Sequence, residues 1–436
     1  MKRMRLSALL CPTLGLLLAA CGQTPTAPTA AISRAVTYAV TVPIDARSSV
    51  SSLERRYGGD VTLFSQKAGF AVVRVGAQTA ERLRGRGGMS VLSEDGATLE
   101  PNSGTYRVRP SGSTIWAGGS TIWAGGSTIW AGGSTIWAGG STIWAGGQYG
   151  PVPGNSGAWT QIGLDRVHAG FGALAVHKRV RVAVIDTGID LAHPAFTNIL
   201  APAGDMRDFV DGDAVPQETG APGDVGYGHG TNVAGIVLQI APNAEVLPLR
   251  VLDGNGVGDT DEVAAAIVHA VDHGAKVINL SLGSDTPTTA VTNALQYAAD
   301  HDVYVVAAVG NEGRQGANYP AAQSQTPGTL GDHLVGVGSV GASGARSAFS
   351  NYGAGTEIVA PGENIVSAAP NGLQGAWSGT SQATPAVAGA LALALGSDKV
   401  NPGLLTPALL SSADTSNPAA GAGRLDLPRF LGTAAP

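Results

Sequence analysis

Three short segments carry an acid, a base and a hydroxyl in a fixed order along the chain. They are Val182-Ala-Val-Ile-Asp186-Thr-Gly-Ile-Asp190, Gly228-His229-Gly-Thr-Asn232-Val-Ala-Gly235 and Gly379-Thr-Ser381-Gln-Ala-Thr-Pro385. A serine hydroxyl is a weak nucleophile until a neighbouring base takes its proton. An imidazole does this well when a carboxylate holds its other ring nitrogen and fixes the tautomer. Asp186, His229 and Ser381 offer those three groups, provided that the fold brings them together.

The surrounding residues indicate how they would be positioned. Asp186 follows the apolar run Val180 to Ile185, interrupted only by Arg181, which reads as a buried strand of a parallel sheet. In open α/β sheets, ligand chemistry gathers outside the carboxyl ends of the strands. Alone, Asp186 with Thr187-Gly188 would be an ordinary strand-end turn. His229 lies between two glycines and precedes the small residues Val233-Ala234-Gly235, a pattern expected to start a helix close to the sheet with an accessible ring. Taken singly, such a histidine is a polar surface residue. Ser381 opens the helical run Gln382 to Leu395, where backbone N–H groups and the helix dipole favour developing negative charge. Helix capping would be its ordinary role. The context Gly-Thr-Ser-Gln-Ala is not the Gly-x-Ser-x-Gly of a nucleophile elbow.

Further runs alternate in type. Glu245 to Val251, Lys276 to Ser281 and Val303 to Val309 read as strands; Glu262 to His273 and Thr289 to Asp300 read as helices. The expected fold class is α/β, a parallel sheet with helices on both faces.

The chain order Asp, His, Ser is that of subtilisin, not of chymotrypsin or the α/β-hydrolases. The sequence resembles the subtilases from about Trp159 to about Leu431. Gly310-Asn311-Glu312-Gly313 resembles the family segment whose Asn side chain donates to the oxyanion. Asn279-Leu-Ser281-Leu282-Gly283 resembles its substrate-pairing strand. Ala348-Phe-Ser-Asn-Tyr-Gly353, Val359-Ala-Pro-Gly362 and Gly421-Ala-Gly-Arg-Leu-Asp426 follow in the family's order. The resemblance implies a subtilisin-like fold and a serine endopeptidase acting on protein or peptide substrates. Asp186, His229 and Ser381 would form its triad, Asn311 would be the oxyanion donor, and Ser281, Leu282 and Gly283 would bind substrate. No cofactor is implied for catalysis. Asn232, Gln382 and Ala386 depart from the residues usual in the family, and none of them removes a catalytic role.

Structural calcium is common in such proteins, but Leu238-Gln239-Ile240 passes directly into Ala241-Pro-Asn-Ala-Glu245, without the loop that holds it in many relatives. Asp208, Asp211, Asp213 and Glu218 offer oxygen ligands that a calcium ion can use. The expectation adopted is a solvated acidic loop and no metal site.

The chain has 436 residues, 44% of them apolar, and a net charge of −6. Residues 159–436 carry 12 Lys and Arg against 25 Asp and Glu, whereas residues 1–158 carry 14 against 7. Acidity argues against nucleic acid as a partner for the later part, and the opposite signs favour contact between the two parts. The only cysteines are Cys11 and Cys21. Met1-Lys-Arg-Met-Arg5 and the apolar stretch Leu6 to Ala20 read as a signal peptide. Leu18-Ala-Ala-Cys21 resembles a bacterial lipoprotein box, which implies a lipidated Cys21, anchorage to a membrane and an envelope location. The alternative is simple secretion.

Residues 21–34 read as a flexible tether. Val36 to Val42, Ala46 to Tyr57, Asp60 to Phe64, Ala68 to Val75, Gln78 to Arg84 and Met89 to Ser93 follow a βαββαβ order, expected to form a small ferredoxin-like domain. Residues 35–110 also resemble subtilase propeptides, which implies an inhibitor and folding partner of the enzyme, made as a zymogen. Ser-Thr-Ile-Trp-Ala-Gly-Gly then occurs five times in tandem from Ser113 to Gly147. Its paired glycines exclude a coiled coil. A one-sided tryptophan stripe would need turns or bulges at those glycines. The repeats read as a linker, within residues 111–158, before the catalytic domain 159–436. Two rivals remain: a silent subtilase fold used for binding, and an adhesion module built on the repeated tryptophans.

Overall fold

Short strands between Thr37 and Pro101 build the first sheet, and the central ones, Thr37–Pro43 and Phe70–Gly76, each carry four consecutive buried residues. The computed structural model describes residues 35–84, 91–92, 96–109, 113–116, 119–124, 127–132, 152–169, 178–397, 401–416 and 421–432. The signal peptide, the tether, Cys21 and the fourth and fifth repeat copies lie outside the described residues.

Strands β1 (Thr37–Pro43), β2 (Asp60–Ser65), β3 (Phe70–Gly76), β4 (Val91–Leu92) and β5 (Ala97–Pro101) form a sheet ordered β2-β3-β1-β5-β4. All its neighbouring pairs are antiparallel. With helices Val50–Tyr57 and Ala77–Arg84, this is the ferredoxin-like arrangement expected. Two boundaries differ. The first helix starts at Val50 because Asp45 accepts from the Arg47 and Ser48 amides and Ser49 caps the helix. The strand beside β1 is Ala97–Pro101, not Met89–Ser93. Among the described residues of the expected segment, Val91–Leu92 pair with β5, and Gly96, at φ 69°, leads into that strand.

One face of this sheet buries Val40, Val42, Ala71 and Val73 beside Leu53 and Tyr57 of the first helix. The other face sends Ala39, Leu63, Phe70 and Val72 into a core shared with the rest of the protein. That alternation is the two-residue period of a strand buried on both sides. Beyond the sheet, β6 (Tyr106–Arg107) continues towards the repeats. There β7 (Ser113–Trp116), β8 (Gly119–Ala124) and β9 (Ser127–Gly132) each cover the Ser-Thr-Ile-Trp part of one copy. β7 and β9 are parallel, and β8 is antiparallel to β9.

The later strands are β10 (Arg181–Asp186), β11 (Arg207–Asp208), β12 (Glu245–Arg250), β13 (Val257–Gly258), β14 (Val277–Leu280), β15 (Tyr304–Ala308), β16 (Leu334–Val340) and β17 (Ile358–Pro361). All except β13 join one parallel sheet of seven strands, ordered β11-β12-β10-β14-β15-β16-β17. Strand β13 pairs with β6. Along β10, Val182 and Val184 enter the core with helices His229–Ile240 and Thr380–Gly396. Ala183 and Ile185 enter the opposite core, with helices Thr260–Asp272 and Thr289–Ala299. Helices therefore cover both faces, as the near-continuous apolar strands require. Strands β18 (Ile365–Ala369) and β19 (Leu373–Trp377) form a hairpin that β7 extends.

The acidic stretch is the solvated loop expected only in part: Asp211 and Asp213 are exposed, whereas Asp208 and Glu218 are buried. Asp208 is buried, and the Arg250 guanidinium pairs with it at 2.6 Å and with Asp211 at 2.5 Å. Asp213 accepts from the Val215 amide, and Glu218 is buried against Thr231. A cation among Asp208 and Asp211 would meet the guanidinium already there, so this stretch does not fit calcium.

Candidate active site

The carboxyl end of β10 brings Asp186 to the start of the helix His229–Ile240. Gly228, at φ 81°, turns the chain into that helix, and a Cβ there would lie 2.8 Å from Pro370. At Gly230 a Cβ would lie 2.1 Å from the Gly188 carbonyl oxygen, so only glycine lets the helix approach the strand end this closely. The Gly230 amide donates to Thr187 Oγ1 at 2.9 Å. This contact sets His229 Nδ1 2.7 Å from Asp186 Oδ1, which also accepts from the Thr187 amide at 2.8 Å.

The imidazole is buried, with 2% exposure, not accessible as its small neighbours suggested. Its Nε2 has no hydrogen-bond partner among the described residues. Ser381, in the first turn of its helix, donates Oγ to the Ser281 carbonyl at 3.1 Å, and Ser281 Oγ donates to the Ser381 carbonyl at 2.8 Å. The serine hydroxyl is therefore not hydrogen-bonded to the imidazole in this conformation.

Asn311 follows β15. Its Oδ1 accepts from both the amide and the hydroxyl of Thr380 at 2.9 Å. With the oxygen so engaged, the amide nitrogen must face the cleft. There Nδ2 donates to the carbonyl oxygen of Arg109 at 2.5 Å. Arg109, Ser281, Leu282, Asn311 and Ser381 line one small pocket.

The sequence alone did not indicate this occupant. Arg107 exchanges both backbone hydrogen bonds with Gly283, at 3.0 and 3.2 Å, and the Val108 amide donates to Gly256 at 2.8 Å. Residues 106–109 thus lie as an added antiparallel strand along the segment expected to bind substrate. The only prior signal was the alternation of Tyr106, Arg107, Val108 and Arg109.

The N-terminal sheet is fastened to two helices behind the cleft. Asn102 accepts from the Thr260 amide through its carbonyl and from the Asp261 amide through Oδ1, both at 3.0 Å. Glu100 accepts from the Thr289 amide at 2.7 Å. Neither the Asp259 nor the Thr288 side chain caps its own helix. Arg74 pairs with Asp261 at 2.8 Å and Glu262 at 3.1 Å, and Lys67 pairs with Asp272 at 3.0 Å. In each pair the cation comes from the N-terminal part, which is the sign relation expected from composition.

Behind Asp186 lies a second buried carboxyl that sequence reading had placed in a loop. Glu218 Oε2 accepts from the Thr231 hydroxyl at 2.8 Å, and Thr231 Oγ1 accepts from the Asp190 amide at 2.9 Å. Burial pushes the Glu218 carboxyl up to about 8, against its hydrogen bonds to Thr231 and Thr187 and with a smaller contribution from Asp186. It is protonated at neutral pH, so Asp186 does not share its site with a second full negative charge.

Chemically, this site joins a carboxylate-bound imidazole, a serine hydroxyl at a helix N-terminus and an amide donor aimed at a peptide carbonyl. That combination suits acyl transfer.

Comparison with known proteins agrees with the fold. Residues 177–423 match the model of the subtilase family. The chain is 40% identical over 222 residues to the thermophilic serine proteinase of Bacillus sp. (strain AK1), covering 49% of this chain and 51% of that one. It is 38% identical over 223 residues to thermitase of Thermoactinomyces vulgaris, covering 49% and 74%. The match thus spans about half the length of the first of these relatives. The crystal structure of the epidermin leader peptide processing serine protease of Staphylococcus aureus shares the fold, with a TM-score of 0.63 and 22% identity over 92% of this chain and 99% of that one. From the family match over residues 177–423, the chain belongs to the subtilase family.

Proposed function

We propose that the protein is a serine endopeptidase that hydrolyses peptide bonds in proteins and is made as a zymogen. Ser381 Oγ attacks the substrate carbonyl, His229 Nε2 takes its proton and delivers it to the leaving amine, water then attacks the resulting serine ester with its proton passing through the same imidazole back to Ser381, and Asp186 keeps the imidazole in the tautomer that permits this. Asn311 and the Ser381 amide hold the oxyanion. The observation that carries this reading is the 2.5 Å bond from Asn311 Nδ2 to the Arg109 carbonyl, a peptide carbonyl at the place such an oxyanion would form. The unpartnered Nε2 supports it, since a base awaiting the serine proton needs a free lone pair. No cofactor enters these steps.

Residues 35–109 act, on this reading, as a built-in inhibitor. Tyr106–Arg109 lies where substrate would lie, and the sheet behind it is anchored by the pairs at Asp261, Glu262 and Asp272. Export with lipid attachment at Cys21 fits the leader, and incorporation of labelled palmitate into the chain but not into Cys21→Ser tests it. For the activity itself, the test is labelling by a fluorophosphonate together with peptide hydrolysis. Wild type should show both, and Ser381→Ala neither. Hydrolysis retained by Ser381→Ala would end the assignment.

A further inference from the structure

Arg109 is held by more than its backbone. Its guanidinium pairs with Glu312 at 2.5 Å and with Asp285 at 2.7 Å. We propose that these two carboxylates select an arginine side chain in the residue whose carbonyl meets Asn311, so that substrates cut by this enzyme carry arginine immediately before the scissile bond. The proposal rests on the endopeptidase reading and names its substrate class.

The acids are built to receive a cation. Glu312 accepts from Asn318 at 3.1 and 3.2 Å and from Asn351 at 2.6 Å, which fixes its orientation. It is also the less exposed of the two, 21% against 60% for Asp285, so water screens it less. Arg314 offers one competing positive charge, 3.2 Å from Asp285 and 3.9 Å from Glu312, and it is half exposed. Two carboxylates against Arg314 leave one net negative charge for the ligand. A planar guanidinium reaches both acids through separate nitrogens, which the single ammonium of lysine does less well. An apolar side chain would leave Glu312 only its amide donors and Arg314 at 3.9 Å, and would forfeit the close charge pair. Docking and cutting are separable for Arg109 itself, because the next residue is Pro110, whose nitrogen carries no N–H and whose φ is fixed.

The test has two arms, both on the full chain. Hydrogen exchange of the Arg107 and Val108 amides reports how firmly the docked strand is held, whether or not the enzyme turns over. Arg109→Leu should speed that exchange at least about tenfold, and Arg109→Lys should fall between the two. Asp285→Asn with Glu312→Gln should speed it similarly, and adding Arg109→Leu to that variant should change little further. In the second arm, the enzyme digests an unfolded protein mixture and mass spectrometry counts the residue before each cut. Arginine should be strongly enriched for the wild type, with the enrichment lost in Asp285→Asn, Glu312→Gln. Unchanged exchange in Arg109→Leu, or cuts without arginine preference, would overturn the proposal. If nothing is cut, the endopeptidase reading fails, and the exchange arm alone decides whether this cleft prefers arginine.

Discussion

Replacing Arg74 with methionine should loosen the N-terminal sheet from the helix Thr260–Asp272 by one to two orders of magnitude. Arg74 bridges Asp261, whose side chain is fully buried, and Glu262, which is 9% exposed. Removing one partner of a buried ion pair costs about 3–5 kcal/mol, because the other charge is left without compensation. Arg74 is itself 32% exposed, so water already reaches its guanidinium and would reach the freed acids in part. Discounted for that, the loss is about 2–3 kcal/mol, or roughly 30- to 150-fold in the opening equilibrium. Methionine keeps much of the aliphatic stem, so packing changes little. The amides of Thr260 and Asp261 are suitable reporters, because first-turn amides have no partner within a helix and these two donate to Asn102. Their hydrogen exchange should accelerate by that factor. Adding Asp261→Asn and Glu262→Gln should restore most of the protection, since the two acids that paired with Arg74 are then neutral. Acceleration below about threefold, or no recovery in the triple variant, would refute this reasoning about the buried charges.

Other measurements probe the site and the core. Asn311→Ala should lower kcat by about 100- to 1000-fold with little change in KM, because an oxyanion donor acts on the transition state; a change confined to KM would contradict that role. Gln239→Leu should destabilise the fold by about 2–4 kcal/mol, seen as a lower urea midpoint, because it strands the buried Val152 amide and Trp159 indole N–H. Gln239 Oε1 accepts from the Val152 amide, Asn155 Nδ2 and Trp159 Nε1, all within 3.1 Å, and a loss below about 0.5 kcal/mol would mean that these donors find other partners. Glu218, raised to about 8 in the fold, binds its proton there and releases it when unfolded, so stability should fall as pH rises from its ordinary value towards 8 and then level. Glu357, raised by burial to about 7, adds a slope of the same sign. Glu218→Gln should therefore flatten the pH dependence of the urea midpoint without abolishing it, and an unchanged slope would place the Glu218 pKa near normal.

Periodicity and local chemistry were sufficient for the parallel sheet. Val182 to Ile185 is apolar without alternation because both faces of β10 are covered, and such runs are conspicuous in a sequence. Segments around Asp186, His229, Ser381 and Asn311 were legible because close packing restricts them to small residues, as at Gly230. Contacts between residues far apart in the chain were not. Glu218 reads as one more acid in a polar loop until the fold places Thr231 against it, and Asp208 until Arg250 reaches it. Strand β5 escaped notice because Ala97-Thr-Leu-Glu100 is short and half polar, and its pairing with β1 depends on a partner some sixty residues earlier. The docking of Arg109 depends on Gly283, Asn311 and Glu312, none of which is near it in sequence.

Two helices of the larger part receive their N-terminal caps from Asn102 and Glu100, more than 150 residues upstream. Capping is ordinarily a local matter, settled within one turn of chain. Here it becomes an ordering constraint during folding. The N-terminal sheet contains a short-range pairing, the β2–β3 hairpin, and contacts of that kind form early. The parallel sheet must close long crossovers before its strands meet, and closure of that kind is slow. A preformed edge holding the starts of both helices would fix their separation and direction while those crossovers are still open. The ends Thr260 and Thr289 would then be the first points of the larger part to acquire their final positions, and loss of the N-terminal sheet after folding would leave the same two turns the first to fray.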